Sequence, residues 1–262
     1  MRTFICFSVG ILFTLVLFVR CKKEVTTVKV HDTVTIKTTD TLIRTDTLIK
    51  KDTLWKDSLI KVLTLQPGPD EGQNCLVGGD IYAAYNLNSN PDISASTWTY
   101  GAQGGGTGSV RTLIKFIGLD GMPDSAIILS AKLSLYGISS GVSSPQGNSY
   151  YPGSPYETYG DNSSWLKRVT TDWNPDSVTW NNQPPVTDVN EVSVPASTTQ
   201  WNFNAVDLDV TQLVDDMLNT ENFGFSLQLK AEQTYRSISF ASCKVTNSAL
   251  WPKLVVTYKI IK

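Results

Sequence analysis

Seven residues of this 262-residue chain have the types and the spacing to stack flat rings against a ligand: Trp98, Tyr100, Tyr150, Tyr151, Tyr156, Tyr159 and Trp165. Five of them fall between Gly137 and Trp165, among Gly, Pro, Asn and Ser, with Glu157, Asp161 and Asn162 close by. Trp98 and Tyr100 stand just before the Gly-rich stretch that precedes Arg111. Aromatic faces take the apolar side of a sugar ring, while amides and carboxylates take its hydroxyls. A connection as long as 137–165 is usually functional or mobile. The competing reading of the same rings is a cover over the edge of a sheet.

Catalytic chemistry finds less support. The only histidine, His31, precedes residues 63–262, so that segment holds no Ser-His-Asp arrangement and no His-ligated zinc. Gly104-Gly105-Gly106 has neither the Lys nor the helix of a phosphate cradle behind it. A carboxylate pair for glycoside hydrolysis is defined by a separation in space, and no sequence spacing suggests one. Asp161, Asp172 and Asp176 are the oxygen donors expected for a structural calcium ion, with Asp207 and Asp209 also available. Solvated surface carboxylates are the other reading of these five. No further cofactor is indicated.

Charge narrows the partners. Residues 22–62 carry nine Lys/Arg against six Asp/Glu, a net of +3, whereas residues 63–262 carry eleven against eighteen, a net of −7. A domain that acidic repels phosphate backbones, which excludes nucleic acid as a partner.

The elements that must position these residues begin with an export segment. Arg2 is followed by an apolar run of sixteen residues, Phe4 to Val19, and then by Arg20, Cys21, Lys22 and Lys23. A membrane span needs about 20 residues, so residues 1–20 are expected to be a signal peptide. Leu17-Phe18-Val19-Arg20-Cys21 resembles a lipobox, except that Arg20 stands where a small residue is usual. Cys21 is therefore the expected lipidation site, and the expected location is the bacterial outer membrane or cell surface, with a lipid anchor. Of the other cysteines, Cys6 lies in the signal, and Cys75 and Cys243 either pair in an oxidising compartment or sit as two small buried hydrophobes. A bridge between them would close a long loop and stabilise the fold by about 4–5 kcal/mol in the chain-entropy model.

Residues 21–62 read as a Thr/Asp-rich repetitive stalk. Its units are Asp32-Thr33-Val34, Asp40-Thr41-Leu42, Asp46-Thr47-Leu48, Asp52-Thr53-Leu54 and Asp57-Ser58-Leu59. A period of five or six matches neither a heptad nor a helical stripe, whereas an extended chain rich in Thr suits it. Either the segment is a spacer that associates with itself through β structure, or it is a linker of biased composition. Beyond Pro67-Gly68-Pro69-Asp70, strands are predicted at Val110 to Phe116, Ala131 to Tyr136, Phe223 to Leu229 and Leu254 to Tyr258. Asp209-Val210-Thr211 predicts a helix start leading into Gln212 to Leu218, with Leu213, Val214, Met217 and Leu218 on one face. The fold class is all-β.

Four stretches carry a family resemblance. The first is Arg111-Thr112-Leu113-Ile114-Lys115-Phe116 followed by Met122 to Tyr136. The second is Val169-Thr170-Thr171-Asp172-Trp173-Asn174 with Ser177 to Pro184. Asp209-Val210-Thr211 with Asn222-Phe223-Gly224-Phe225 is the third, and Ser239-Phe240-Ala241-Ser242 with Pro252 to Tyr258 is the fourth. In order and spacing this set resembles the DNRLRE-type domain, also described as carbohydrate-binding module family 96 and related to a domain of archaeal disaggregatase. The resemblance implies a jelly-roll-like β-sandwich over residues 63–262, with one short helix, on a surface or secreted protein. It further implies a non-catalytic polysaccharide binder. A structural or adhesive surface protein assembling through its stalk is the alternative.

Overall fold

The computed structural model describes residues 33–38, 41–46, 58–140 and 147–261. Within the repeat, Thr33–Thr38 (β1) and Thr41–Asp46 (β2) pair antiparallel, from Thr33 opposite Asp46 to Thr38 opposite Thr41.

A second compact unit, Ile60–Lys259, carries the domain. Its strands are Ser58–Leu65 (β3), Gly72–Gly78 (β4), Asp92–Thr99 (β5), Thr107–Phe116 (β6), Ala126–Leu135 (β7), Ser164–Val169 (β8), Val186–Val194 (β9), Ala205–Asp209 (β10), Phe225–Leu229 (β11), Arg236–Ala241 (β12) and Lys253–Ile261 (β13). They form a four-stranded sheet ordered β10-β7-β13-β3 and a seven-stranded sheet ordered β12-β5-β6-β11-β8-β9, with β4 on the other edge of β6. This is the expected all-β sandwich.

Alternation along the strands decides what is buried. Val110, Thr112, Ile114 and Phe116 line one face of β6, in register with Leu227 and Phe225 of β11 and, beyond them, Leu166 of β8. Ala131, Leu133 and Leu135 of β7 and Leu254, Val256 and Tyr258 of β13 are the buried rows of the other sheet. The opposite face of β4 and β6 is covered too: Cys75, Val77 and Leu113 cluster with Val169, Trp173 and Val178, and Trp180, Val186 and Phe223 pack against them. Trp173 donates its indole N–H to the Phe223 carbonyl at 2.8 Å.

Among the described residues the one α-helix is Thr211–Asn219 (α1), with Val210 at its N-cap and Asp209 just ahead binding the first helical residue. The Asp209 carboxylate accepts from the Thr211 N–H and hydroxyl and from Lys132 at 2.7 Å, which holds its pKa down to about 2. Leu213, Val214 and Met217 turn inward, as the sequence pattern predicts.

Of the two readings of the cysteine pair, the structure shows the second. Cys75 and Cys243 are both free thiols, so no bridge joins them. On strand β4 successive side chains alternate faces, and it is Asn74, not Cys75, that meets Cys243, whose Sγ donates to Asn74 Oδ1 at 2.8 Å. Cys75 turns instead to the Trp173 cluster. Burial pushes the Cys75 thiol up to about 11 and raises Cys243 as well. The reading as buried small hydrophobes is the one that holds. Residues 1–20, Cys21, His31 and stalk units between Thr47 and Asp57 lie outside the described residues. Among the described residues no helix is long and apolar enough to cross a membrane.

Candidate functional site

Strand β12 is an edge of the seven-stranded sheet, and an edge exposes backbone groups that must find partners. The segment that follows residue 146 supplies them. Ser149 N–H donates to the Ser237 carbonyl at 2.9 Å, Ser237 N–H to Ser149 Oγ at 2.8 Å, and Ser239 N–H to Asn148 Oδ1 at 2.7 Å. Asn162, fully buried, donates to the Ser237 carbonyl at 2.5 Å and to Ser197 Oγ at 2.8 Å, and accepts from Ser197 N–H at 2.9 Å. A buried polar network of this kind fixes one loop conformation, because each unmade bond would cost about 1–3 kcal/mol.

Pinned in that way, the loop delivers Tyr156 to Trp98. Their ring centroids lie 5.2 Å apart, edge to face. Tyr235 meets Trp98 in the same manner at 5.2 Å and stacks on Tyr156 at 5.6 Å. Such ring pairs contribute about 0.5–1.5 kcal/mol each beyond area burial. Trp98 is 9% exposed, whereas both tyrosines are half-buried and so present ring surface to solvent. Tyr235 holds φ at +67°, a left-handed conformation that a bulky side chain adopts only when its surroundings force it. Its N–H donates to the Thr97 carbonyl at 2.8 Å, which fixes it at the end of β5.

A second group of rings continues the first across a glycine. Trp98 lies directly opposite Gly108 in the β5–β6 ladder. A Cβ on Gly108 would come within 2.9 Å of Tyr100 Cε2 and of Asp80 Cβ, so the Tyr100 ring occupies the space where a cross-strand partner of Trp98 would stand. Tyr100 meets Tyr82 edge to face at 5.2 Å, and Tyr82 meets Tyr85 at 6.4 Å. Burial, and then Tyr82 and Asp80 beside it, raise the Tyr100 hydroxyl above its ordinary value, so the phenol stays neutral. Asp80 accepts the Gly106 N–H at 2.6 Å and is exposed. It holds φ at +54°, a second left-handed residue at this surface. The result is a run of aromatic side chains from four separate segments, with an exposed carboxylate among them.

The opposite face of the same sheet displays a different arrangement. Val77, Arg111, Trp165, Gln228 and Ser193 belong to rows paired across β4, β6, β11, β8 and β9. There two indoles are covered by cations from the chain itself. Lys230 Nζ sits 4.2 Å from the Trp165 ring centroid and donates to Ser193 Oγ at 2.6 Å. The Arg111 guanidinium lies 4.8 Å over Trp180, while two of its nitrogens bind Glu232 at 2.7 and 3.1 Å and a third donates to Gln183 Oε1 at 3.3 Å.

The structure therefore divides the rings singled out by the sequence. Trp98, Tyr100 and Tyr156 come together on one surface, while Trp165 faces the other way under Lys230. Tyr150, 37% exposed, is held at its carbonyl by Ser197 Oγ, and Tyr151 is half-buried. Tyr159 lies in a short helical turn, Glu157–Tyr159. Tyr82, Tyr85 and Tyr235 were missed, since they lie far apart in sequence and only the register of β5, β6 and β12 unites them.

Asp161, Asp172 and Asp176 are not brought together: Asp161 accepts from Ser163, Asp172 faces Lys115 at 4.0 Å, and Asp176 accepts from Asn88. Among the described residues no three acidic, His or Cys side chains gather as a metal centre.

A search of curated proteins returns no match to this chain. A family model does match, over residues 93–258, and its description is carbohydrate-binding module family 96.

Proposed function

Since the chain belongs to carbohydrate-binding module family 96, we propose that it is a non-catalytic, polysaccharide-binding surface lipoprotein that stacks sugar rings on the surface formed by Tyr82, Tyr100, Trp98, Tyr156 and Tyr235. The observation that carries this reading is the convergence of those rings, with Tyr156 and Tyr235 stacked on each other and both set edge to face against Trp98. Rings held by other rings lose little freedom on binding, and aromatic faces match the axial C–H side of a pyranose. Asp80 supplies an acceptor for hydroxyls at one end. Anchoring through a lipid on Cys21 at the bacterial outer membrane or cell surface belongs to the same proposal, supported by the apolar run Phe4 to Val19 ahead of that cysteine.

The test is a broad glycan array probed with the full chain. Binding to a polysaccharide that weakens in Tyr100→Ala supports the reading. No binding to any glycan at high protein concentration would sink it.

A second reading, self-association through the stalk, is favoured by one feature. Strand β3, formed by the end of the repeat, is the outer strand of the four-stranded sheet, and Ile60 and Val62 on it are 62% and 63% exposed. An exposed apolar edge strand is a template for another chain. Sedimentation of the full chain against Ile60→Lys/Val62→Lys separates the outcomes: a discrete oligomer that dissociates in the double variant supports assembly, and a monomer in both forms ends it.

A further inference from the structure

One cation in the domain stands where a metal ion would be at home. Lys244 follows β12, and its ammonium has three N–H donors. All three find oxygens: the Asn74 carbonyl at 2.9 Å, Asn88 Oδ1 at 2.6 Å and the Asn88 carbonyl. These acceptors are two main-chain carbonyls and one side-chain amide, the hard neutral donors that also surround calcium. A carboxylate stands one bond further out, because Asn88 Nδ2 donates to Asp176 Oδ1 at 2.8 Å.

The segments joined there are remote in sequence. Asn74 lies on β4, Asn88 in the turn that follows Tyr82 and Tyr85, and Asp176 in the loop between Trp173 and Trp180. A neighbouring residue of the same turn, Asn86, reaches the Pro175 and Val178 carbonyls at 2.7 and 2.8 Å, so the 86–88 turn and the 175–178 loop are laced together around the ammonium. Without a positive charge at the centre, the Asn88 carbonyl, Asn88 Oδ1 and the Asn74 carbonyl would converge with no donor between them, and partly buried acceptors left unmade cost stability.

We propose that Lys244 is the built-in structural cation of this domain: its ammonium fills a cage of Asn74 and Asn88 oxygens, backed by the Asp176 carboxylate behind Asn88, that accepts a divalent ion such as calcium when the lysine is removed. The ammonium then holds the turn that follows Tyr82 and Tyr85 as a bound ion would.

The experiment uses the full chain with Lys244→Met and Lys244→Ala, each measured for melting temperature and for hydrogen exchange in 84–90 and 174–178, in chelator, in millimolar calcium chloride, and in sodium chloride of equal ionic strength. The wild-type chain is expected to behave alike in all three. Lys244→Met, which keeps the stem and loses the charge, is expected to lose exchange protection in both segments by tenfold or more. Lys244→Ala is expected to lose the same protection in chelator and to regain it with calcium but not with sodium. Should Lys244→Ala fail to fold in chelator, recovery of folded protein on refolding with calcium gives the same answer. Lys244→Met with wild-type protection, or Lys244→Ala with no calcium-specific recovery of protection or refolding, would overturn the proposal. Glycan binding is not read here, so failure of this cage leaves the proposed function standing and the reverse also holds.

Discussion

The two faces of the seven-stranded sheet use aromatic side chains in contrasting ways. On one, Trp98, Tyr156 and Tyr235 are held by one another and Tyr100 by Tyr82. On the other, Trp165 lies under Lys230 and Trp180 under Arg111. Both faces carry aromatic rings, yet the chemistry on offer differs. Rings packed on one another are held by contacts among themselves, whereas an indole whose face is already satisfied by a cation must lose that contact before a sugar can stack on it, at about 0.5–1 kcal/mol for a partly exposed pair. The first face is built to receive, and the second is built to hold itself.

The largest effect expected from breaking this contrast falls on Trp98. It is nearly buried and touches two rings, so Trp98→Ala should cost about 3–5 kcal/mol of stability. Urea unfolding reads this directly, and a midpoint equal to wild type would show that the ring cluster is not a packed unit. Trp165→Ala, by contrast, removes a half-buried ring from an outward face and should shift the midpoint far less.

Next in size are the ligand effects. Tyr100→Ala deletes the ring over Gly108 and should weaken glycan binding about tenfold, or about 1.4 kcal/mol. Trp165→Ala on the opposite face should change it by less than about threefold. Calorimetric titration of the glycan found on the array measures both. The reverse order of these two values would transfer the binding role to the cation-covered face.

Part of this contrast was legible in the sequence. Strand alternation and turn residues were enough for the all-β class, for strands that overlap Val110 to Phe116 and Ala131 to Leu135, and for α1 starting just after Asp209-Val210. These are local signals, each decided within ten residues. Trp98, Tyr100 and Tyr156 could be named as ring candidates, but not grouped, because grouping depends on the β5–β6 register and on the Asn162 network that lays the loop along β12. Tyr235 gave no sign of its role. Its position rests on a left-handed backbone and a hydrogen bond to Thr97, neither of which composition encodes. The Cys75 and Cys243 pairing failed for a related reason: a one-residue offset on β4 exchanges the faces, and only the structure shows that Asn74 takes the side toward Cys243.

The smallest effect is the sharpest probe of the cation-covered face. Lys230 closes Trp165 from above and is fastened by Ser193 at 2.6 Å. Lys230→Met keeps the aliphatic stem over the ring and removes the charge, so the fold should be unchanged within about 0.5 kcal/mol. If the indole is closed only by the cation, its fluorescence in the variant should become more accessible to iodide and acrylamide alike, with no change in glycan affinity. A rise in affinity for the same glycan would mean that the lysine had been masking a sugar platform, and the two faces would then differ in occupancy and not in kind. Unchanged quenching by both agents would show that packing by β8 and β9, not the ammonium, shields the ring.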